Sequence, residues 1–252
     1  MPTPVPTYRK FSWRPDVPDH RDYYFSAIPN LSIPKFVNRI GMEYPLDDQG
    51  NLGSCTGNAA TAAIEIVAHT PELSRLMAYY LGRQLEGTTN SDSGAMIRDV
   101  VKGISRYGVC AESLWPYNIS KFRYKPTASA YANAATLRPK IASYNRIVDL
   151  AGVKSSLAMG IPVIFGFAVP DYFVGRQVET TGWVRLPTRN DVMIGGHAVV
   201  AVGFDDRPSS KFIWARNSWG TNWGLGGYFK MDQAWFTDPR RIVDDMWAII
   251  PR

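Results

Sequence analysis

Several features that define other protein classes are scarce in this sequence of 252 residues. Cysteine occurs only at Cys55 and Cys110, which are far apart and lack CxxC spacing, so a disulfide framework and a zinc cage are both excluded. The longest apolar run, 161–169, is far shorter than the roughly 18 residues that span a membrane, and it predicts a buried strand. We therefore expect no membrane association, no metal site and no cofactor.

The charge balance and composition narrow the function classes further. Lys and Arg exceed Asp and Glu by 28 to 22, but the excess is scattered and forms no basic stripe, which argues against a nucleic-acid partner. An apolar content of 45% is typical of a globular chain with one large or two small domains. The first residues lack a basic stub followed by an apolar run, so we expect a cytoplasmic location by default, with secretion as the alternative.

The first 32 residues differ from the rest because prolines alternate with aromatic residues there. Prolines at this density exclude a helix, and aromatic side chains are unfavourable in water. We expect this N-terminal extension (residues 1–32) to lie in or near a groove of the body formed by residues 33–252.

The body changes from helical to strand patterns along its length. Helical periodicity predicts helices over 54–69, 74–86 and 93–107, whereas short apolar runs after residue 160 predict strands. This segregation predicts an α+β fold with a helical lobe over about 33–140, a β-rich lobe over about 141–252, and a cleft between them.

Three residue types in this chain form a set that supports nucleophilic catalysis. Cys55 follows Gly53 and Ser54 at the start of a predicted helix, a position that favours a thiolate and lowers the thiol pKa. The alternative for Cys55 alone is a buried structural cysteine, which is also what we expect of Cys110. His197 and Asn217 would supply a proton acceptor and the group that orients it.

Three segments around these residues resemble the papain-like cysteine peptidases: DQGNLGSCTGNAA, GGHAVVAVGF and WARNSWGTNWGLGGYFKM. They occur in the order of that family, and His197 follows Cys55 by 142 residues where about 130–150 are expected. The resemblance implies a two-lobed papain-like fold with an antiparallel, barrel-like β lobe. It also implies a cysteine endopeptidase that acts on proteins or peptides. Enzymes of this kind can be labelled with epoxide inhibitors.

The resemblance also implies residue roles. Cys55 matches the nucleophile, His197 the general base and acid, and Asn217 the residue that orients the imidazole. Gln49 matches the side chain of the oxyanion hole, and Trp219 the indole that shields the bond between Asn217 and His197. The positions that match substrate-binding residues of the family are Gly53, Ser54, Ser93, Gly94, Gly195 and Gly196.

Some positions depart from the family pattern. Leu52 replaces a half-cystine, and Ser93 replaces the first glycine of a pair, which places the chain with divergent, disulfide-free bacterial members. We expect a monomer whose extension acts as an intramolecular inhibitor and proregion. Two other functions stay open: a transpeptidase or deamidase that uses the same acyl-enzyme, and a catalytically silent binding module.

Overall fold

The order of secondary structure follows the segregation that the sequence predicts. The computed structural model describes residues 9–25, 31–41, 46–137 and 141–251. The helices are α1 (Cys55–Ala68), α2 (Arg75–Glu86), α3 (Ile97–Tyr107), α4 (Ala128–Leu137), α5 (Leu150–Ala158) and α6 (Arg176–Thr181). The strands are β1 (Phe36–Asn38), β2 (Ile141–Ile147), β3 (Val163–Pro170), β4 (Trp183–Val184), β5 (Met193–Asp205), β6 (Phe212–Arg216), β7 (Tyr228–Asp232) and β8 (Val243–Pro251).

The strands form one sheet in the order β2-β8-β3-β5-β6-β7-β4, with β1 also paired to β5. Neighbouring strands are antiparallel except β4 and β7, which pair in parallel over two residues. The barrel-like closure that we expected is wrong for the described residues, because the end strands β2 and β4 do not pair with each other there. An open sheet suits this chain since both of its faces are covered, so closure is not needed to bury them.

Alternate residues of the central strands enter two different cores. In β5, Ala198 and Val200 face a core shared with the helices, whereas Val199 and Ala201 face a second core that includes α5. The period of two is the geometry of a strand, whose successive side chains point to opposite faces. The central strands are therefore apolar throughout, which explains the uninterrupted run HAVVAV.

The helical lobe differs from the prediction at two helix starts. The third helix begins at Ile97 rather than Ser93, because Gly94 has a φ of +70° and the preceding segment is extended. Ser54 precedes α1 as predicted, but its hydroxyl does not cap the helix; it lies 2.5 Å from the Tyr117 hydroxyl instead. The φ and ψ of Ser54 differ from the extended conformation that an N-cap usually adopts.

Helix α1 connects the two lobes. Its small residues, among them Ala59 and Ala62, lie against Ala198 and Val200 of β5. Short side chains let the helix approach the sheet closely, so the first turn of α1 meets the middle of β5. This contact brings Cys55 beside the segment that carries His197. No helix in the described ranges is long and apolar enough to cross a membrane.

Candidate active site

The thiol of Cys55 is fully buried at the first turn of α1. Burial raises the pKa of Cys55, and hydrogen bonds from the backbone of Ala198 and from Ser12 only partly oppose that increase. The lowered pKa that we expected from the helix start is therefore wrong for this structure. The cause is desolvation, which disfavours the thiolate more than the helix terminus and these donors favour it.

His197 lies in β5, next to Ala198, whose backbone reaches the thiol of Cys55. Its Nε2 is 2.8 Å from Asn217 Oδ1, which also accepts a hydrogen bond of 2.8 Å from the N–H of Ser218. Since the oxygen of Asn217 is thereby fixed as an acceptor, Nε2 carries the proton and Nδ1 keeps a lone pair. Among the described residues, Nδ1 is buried without a hydrogen-bond partner. It is therefore available to take a proton from a neighbouring group.

Aromatic rings exclude water from the imidazole. The ring of Trp219 lies 5.0 Å from that of His197, and Phe167 and Phe173 approach from other directions. Burial lowers the pKa of His197 to about 4; the hydrogen bond to Asn217 opposes this, and the charge of Arg9 adds to it. Both pKa shifts favour the neutral thiol and the neutral imidazole.

Gln49 is held in one orientation beside this group. Its Oε1 accepts a 2.6 Å hydrogen bond from the Ser218 hydroxyl, and its Nε2 donates to Leu52 O at 3.0 Å. Its backbone N–H donates to Ser218 O at 2.9 Å. Ser218 thus contacts both Gln49 and Asn217. Sequence reasoning missed Ser218, although its place directly after Asn217 in the quoted segment was a usable signal.

The N-terminal extension crosses the site. The hydroxyl of Ser12 lies 4.0 Å from Cys55 Sγ, and the ring of Phe11 stands edge-on to His197 at 6.4 Å. The backbone N–H of Trp13 donates to Gly196 O at 2.9 Å, and Trp13 forms a parallel bridge with Ala95. Residues 11–13 therefore cover the thiol and the imidazole from the solvent side.

The glycines that we predicted as substrate-binding residues line the groove that holds these three residues. A Cβ on Gly53 or on Gly94 would lie 2.6 or 1.8 Å from atoms of Ser12. Similarly, a Cβ on Gly195 would lie 2.5 Å from Phe11, and one on Gly196 would lie 2.6 Å from Trp13 O. These four positions tolerate no side chain while the extension is bound, which is the physical reason for glycine there.

The neighbouring residue Ser93 does not face the groove. Its hydroxyl oxygen lies 2.9 Å from Thr88 Oγ1 and 3.0 Å from Gly94 O. The backbone N–H of Gly94 donates to the hydroxyl of Tyr79 at 3.1 Å. Ser93 therefore stabilises the loop before α3 and neither narrows the groove nor adds a hydroxyl to it.

One groove residue that the sequence analysis did not single out is Gly166 of β3. A Cβ there would lie 2.0 Å from Cε2 of Trp13, a residue that is only 9% exposed. A glycine within a strand often marks a close approach by another chain segment, so its place in IPVIFGFAVP was a signal. Gly166 and Gly196 together make the space that the indole occupies.

A second set of contacts anchors the extension away from the thiol. The buried carboxylate of Asp16 accepts hydrogen bonds from Trp247 Nε1 at 2.8 Å and from the N–H of Arg98 at 3.2 Å. Arg146 lies 3.1 Å from the same carboxylate and 2.5 Å from that of Asp245. Burial and the nearby charge of Asp245 raise the pKa of Asp16 to about 7. The extension is therefore tied to α3, β2 and β8 as well as to the cleft.

The second cysteine lies apart from these contacts. Cys110 is buried, and burial raises the pKa of its thiol to about 11. This agrees with the expectation of a structural cysteine. Within the described ranges, no group of three or more His, Cys, Asp and Glu side chains could hold a metal ion.

Comparison with known proteins gives a consistent result. A family model described as "Papain family cysteine protease" matches residues 38–238. An uncharacterized peptidase C1-like protein of Acanthamoeba polyphaga mimivirus is 42% identical over 243 residues, which are 90% of this chain and 74% of that protein. Cysteine proteinase 1 of Entamoeba histolytica is 28% identical, over 80% of this chain and 64% of its own length.

Solved structures agree with the sequence matches. Xylellain, a cysteine protease from Xylella fastidiosa, superposes with a TM-score of 0.88 at 36% identity and covers 96% of both chains. Procathepsin L 3 from the larval midgut of Tenebrio molitor has a TM-score of 0.69 at 18% identity, over 91% of this chain and 73% of that one, a likeness of fold alone. The region matched by the family model contains Cys55, His197 and Asn217, whereas residues 9–25 of the extension precede it.

Proposed function

Because the chain belongs to the papain family of cysteine proteases, we propose that it hydrolyses peptide bonds through a thioester formed on Cys55. The observation that carries this proposal is the arrangement of His197. Its Nε2 is bound to Asn217, whereas its buried Nδ1 has no hydrogen-bond partner among the described residues. The backbone of the next residue, Ala198, reaches the thiol of Cys55. An imidazole with this tautomer can accept the proton of the thiol.

In the proposed reaction, His197 Nδ1 takes the thiol proton and the sulfur of Cys55 attacks the carbonyl carbon of the substrate. The oxyanion is stabilised by the N–H of Cys55 and by Nε2 of Gln49. One N–H of this amide group is bound to Leu52 O, and the second is the one we assign to the oxyanion. The imidazolium then protonates the leaving amine, and water, activated by the neutral imidazole, hydrolyses the thioester.

We also propose that the N-terminal extension keeps the enzyme inactive until it is displaced or cleaved. The supporting contacts are those of Phe11, Ser12 and Trp13 with the site, and those of Asp16 with the body. While the extension is bound, a substrate carbonyl has no path to Cys55. The raised pKa of Cys55 and the lowered pKa of His197 belong to this covered state, since both result from the exclusion of water.

The test is covalent labelling of Cys55 by an epoxide inhibitor of papain-like enzymes, followed by mass spectrometry of the intact and the digested protein. We expect one adduct per chain, on Cys55, which is lost in Cys55→Ala and in His197→Ala and is retained in Cys110→Ala. The last variant is a matched control because it removes the other buried cysteine. Absence of labelling in folded, reduced protein, with and without residues 1–30, would contradict the proposal and favour a silent binding module.

The extension and the acceptor are tested with the same protein. Removal of residues 1–30 is expected to increase the labelling rate, and an unchanged rate would contradict the inhibitory role. The masses of the products from a peptide substrate identify the acceptor. Hydrolysis gives a free carboxylate, whereas transfer to an added amine gives the amide that a transpeptidase would produce.

A further inference from the structure

The first described residue of the extension, Arg9, occupies a cradle beside the active site. Its Nη1 lies 3.1 Å from Asp48 Oδ1, and its Nη2 donates to Trp219 O at 3.2 Å. Its Cζ lies 4.8 Å above the ring of Trp219. With these contacts the side chain of Arg9 is only 15% exposed. A carboxylate, a carbonyl and an indole face together match the charge, the donors and the flat shape of a guanidinium.

The cradle is built by the body rather than by Arg9. The carboxylate of Asp48 accepts a 2.9 Å hydrogen bond from the N–H of Gly50, and the backbone of Asp48 forms an antiparallel bridge with Trp219. The ring of Trp219 is held at 5.3 Å from Phe173 and 5.0 Å from Trp223. Because these contacts do not involve the extension, the cradle remains when the extension leaves, and the carboxylate of Asp48, which is 53% exposed even now, becomes open to other ligands.

The position of the cradle assigns it to one side of the scissile bond. His197 delivers its proton to the leaving amine, so the leaving part of the peptide must pass next to His197 and the adjoining ring of Trp219. The charge of Arg9 is near enough to contribute to the lowered pKa of His197. A guanidinium in the cradle is thus a close neighbour of the leaving group.

We propose that the cradle of Asp48 and Trp219 binds an arginine side chain of the substrate, within about three residues after the scissile bond, and so selects peptides with arginine there. The range follows from the reach of an extended chain, roughly 3.3–3.6 Å per residue, because Arg9 is itself three residues from Ser12 at the thiol. This inference rests on the proposed function and adds the substrate class for that same site. The side chain of Arg9 then occupies the place of this substrate side chain, although the extension crosses the site in the opposite chain direction, because Arg9 precedes Ser12 whereas the substrate arginine follows the scissile bond.

The experiment uses the full chain with two substitutions, Trp13→Ala to loosen the extension and Arg9→Gln to empty the cradle. The substrates are peptides that differ only by arginine, lysine or citrulline at each of the three positions after the scissile bond. Citrulline keeps the planar shape of arginine but lacks its charge. We expect kcat/KM for arginine to exceed that for citrulline about fivefold at one position, the scale of one partly exposed ion pair with a cation–π contact.

Asp48→Asn in the same background is expected to bring this ratio close to one. The matched control is Asp206→Asn, which removes a carboxylate that is ion-paired with Lys154. Because Asp206 directly follows the C-terminal end of β5, away from the cradle, this substitution should leave the ratio unchanged. A ratio near one before the Asp48 substitution, or a ratio that Asp48→Asn leaves intact, would overturn the inference. Equal preference for lysine would overturn the assignment to a guanidinium.

A binding measurement separates this inference from the proposed function. In the same background with Cys55→Ala, calorimetry compares the affinity for the uncleaved arginine and citrulline peptides. Tighter binding of arginine that depends on Asp48 supports the cradle even if no turnover occurs. Turnover without discrimination between the two peptides refutes the cradle and leaves the hydrolytic function standing.

Discussion

Replacing Gly166 with alanine is expected to release the extension from the cleft. The added methyl would lie 2.0 Å from Cε2 and 2.4 Å from Nε1 of Trp13, whose indole lies over Gly166 and over Gly196 of the neighbouring strand β5. A shift of a few tenths of an ångström in either group cannot relieve this overlap. The indole is rigid, and β3, the strand that carries Gly166, is paired on both sides. The indole must leave its pocket.

The magnitude follows from the burial of Trp13. This residue is 9% exposed, and truncation of a buried tryptophan typically costs about 3–5 kcal/mol. If the Gly166→Ala substitution forfeits the lower figure, the population in which the extension is open rises about a hundredfold, because about 1.4 kcal/mol corresponds to a factor of ten. The contacts of Asp16 are untouched, so we expect the extension to stay tethered to the body.

The assay is the rate at which an epoxide inhibitor labels Cys55 in the intact chain. We expect Gly166→Ala to increase this rate by one to two orders of magnitude, on the scale of the population change above. Trp13→Leu added to Gly166→Ala should restore slow labelling in part, since a smaller side chain fits the reduced pocket. Thermal unfolding of each variant checks that the body is folded. A Gly166→Ala protein that is folded yet labels as slowly as the parent would refute the reasoning about the indole pocket.

Three further outcomes follow from the buried groups. In the intact chain, alkylation of Cys55 by iodoacetamide should be slow at neutral pH and rise in the alkaline range because burial raises the thiol pKa; in Trp13→Ala it should already be fast near neutral pH, and equal pH profiles would contradict this. The pKa of Asp16 is raised to about 7 in the folded protein, so its contribution to stability is greatest at low pH and is lost as the pH rises through about 7; Asp16→Asn should flatten the dependence of Tm on pH between about 5 and 7. Ser218→Ala should lower kcat by roughly tenfold with little change in KM, since it frees the amide of Gln49 to rotate. A tenfold increase in KM with an unchanged kcat would instead indicate a binding role.

The sequence by itself predicted the helical and sheet halves of the body and the approximate bounds of α1, α2 and β3. Local periodicity is sufficient for this, because the apolar stripe of α3 and the apolar runs of β3 and β5 depend on neighbours along the chain. The shortest strands, such as β1 and β4, were missed since they pair over only two or three residues and have no periodic pattern of their own. The three quoted segments also singled out Cys55, His197 and Asn217 as candidates. The fold brings these residues into one site.

Only the tertiary structure decided the state of that site. The helix start at Cys55 predicts a lowered thiol pKa, but the direction reverses because segments that meet only in the fold bury the sulfur, and the hydrogen bonds from Ser12 and Ala198 do not offset that desolvation. The pocket for Trp13 likewise depends on Gly166, which is 153 residues away in sequence. Local patterns specify which residues can react, whereas desolvation and close approach are properties of segments that meet only after folding, and these set the protonation and the access of the same residues.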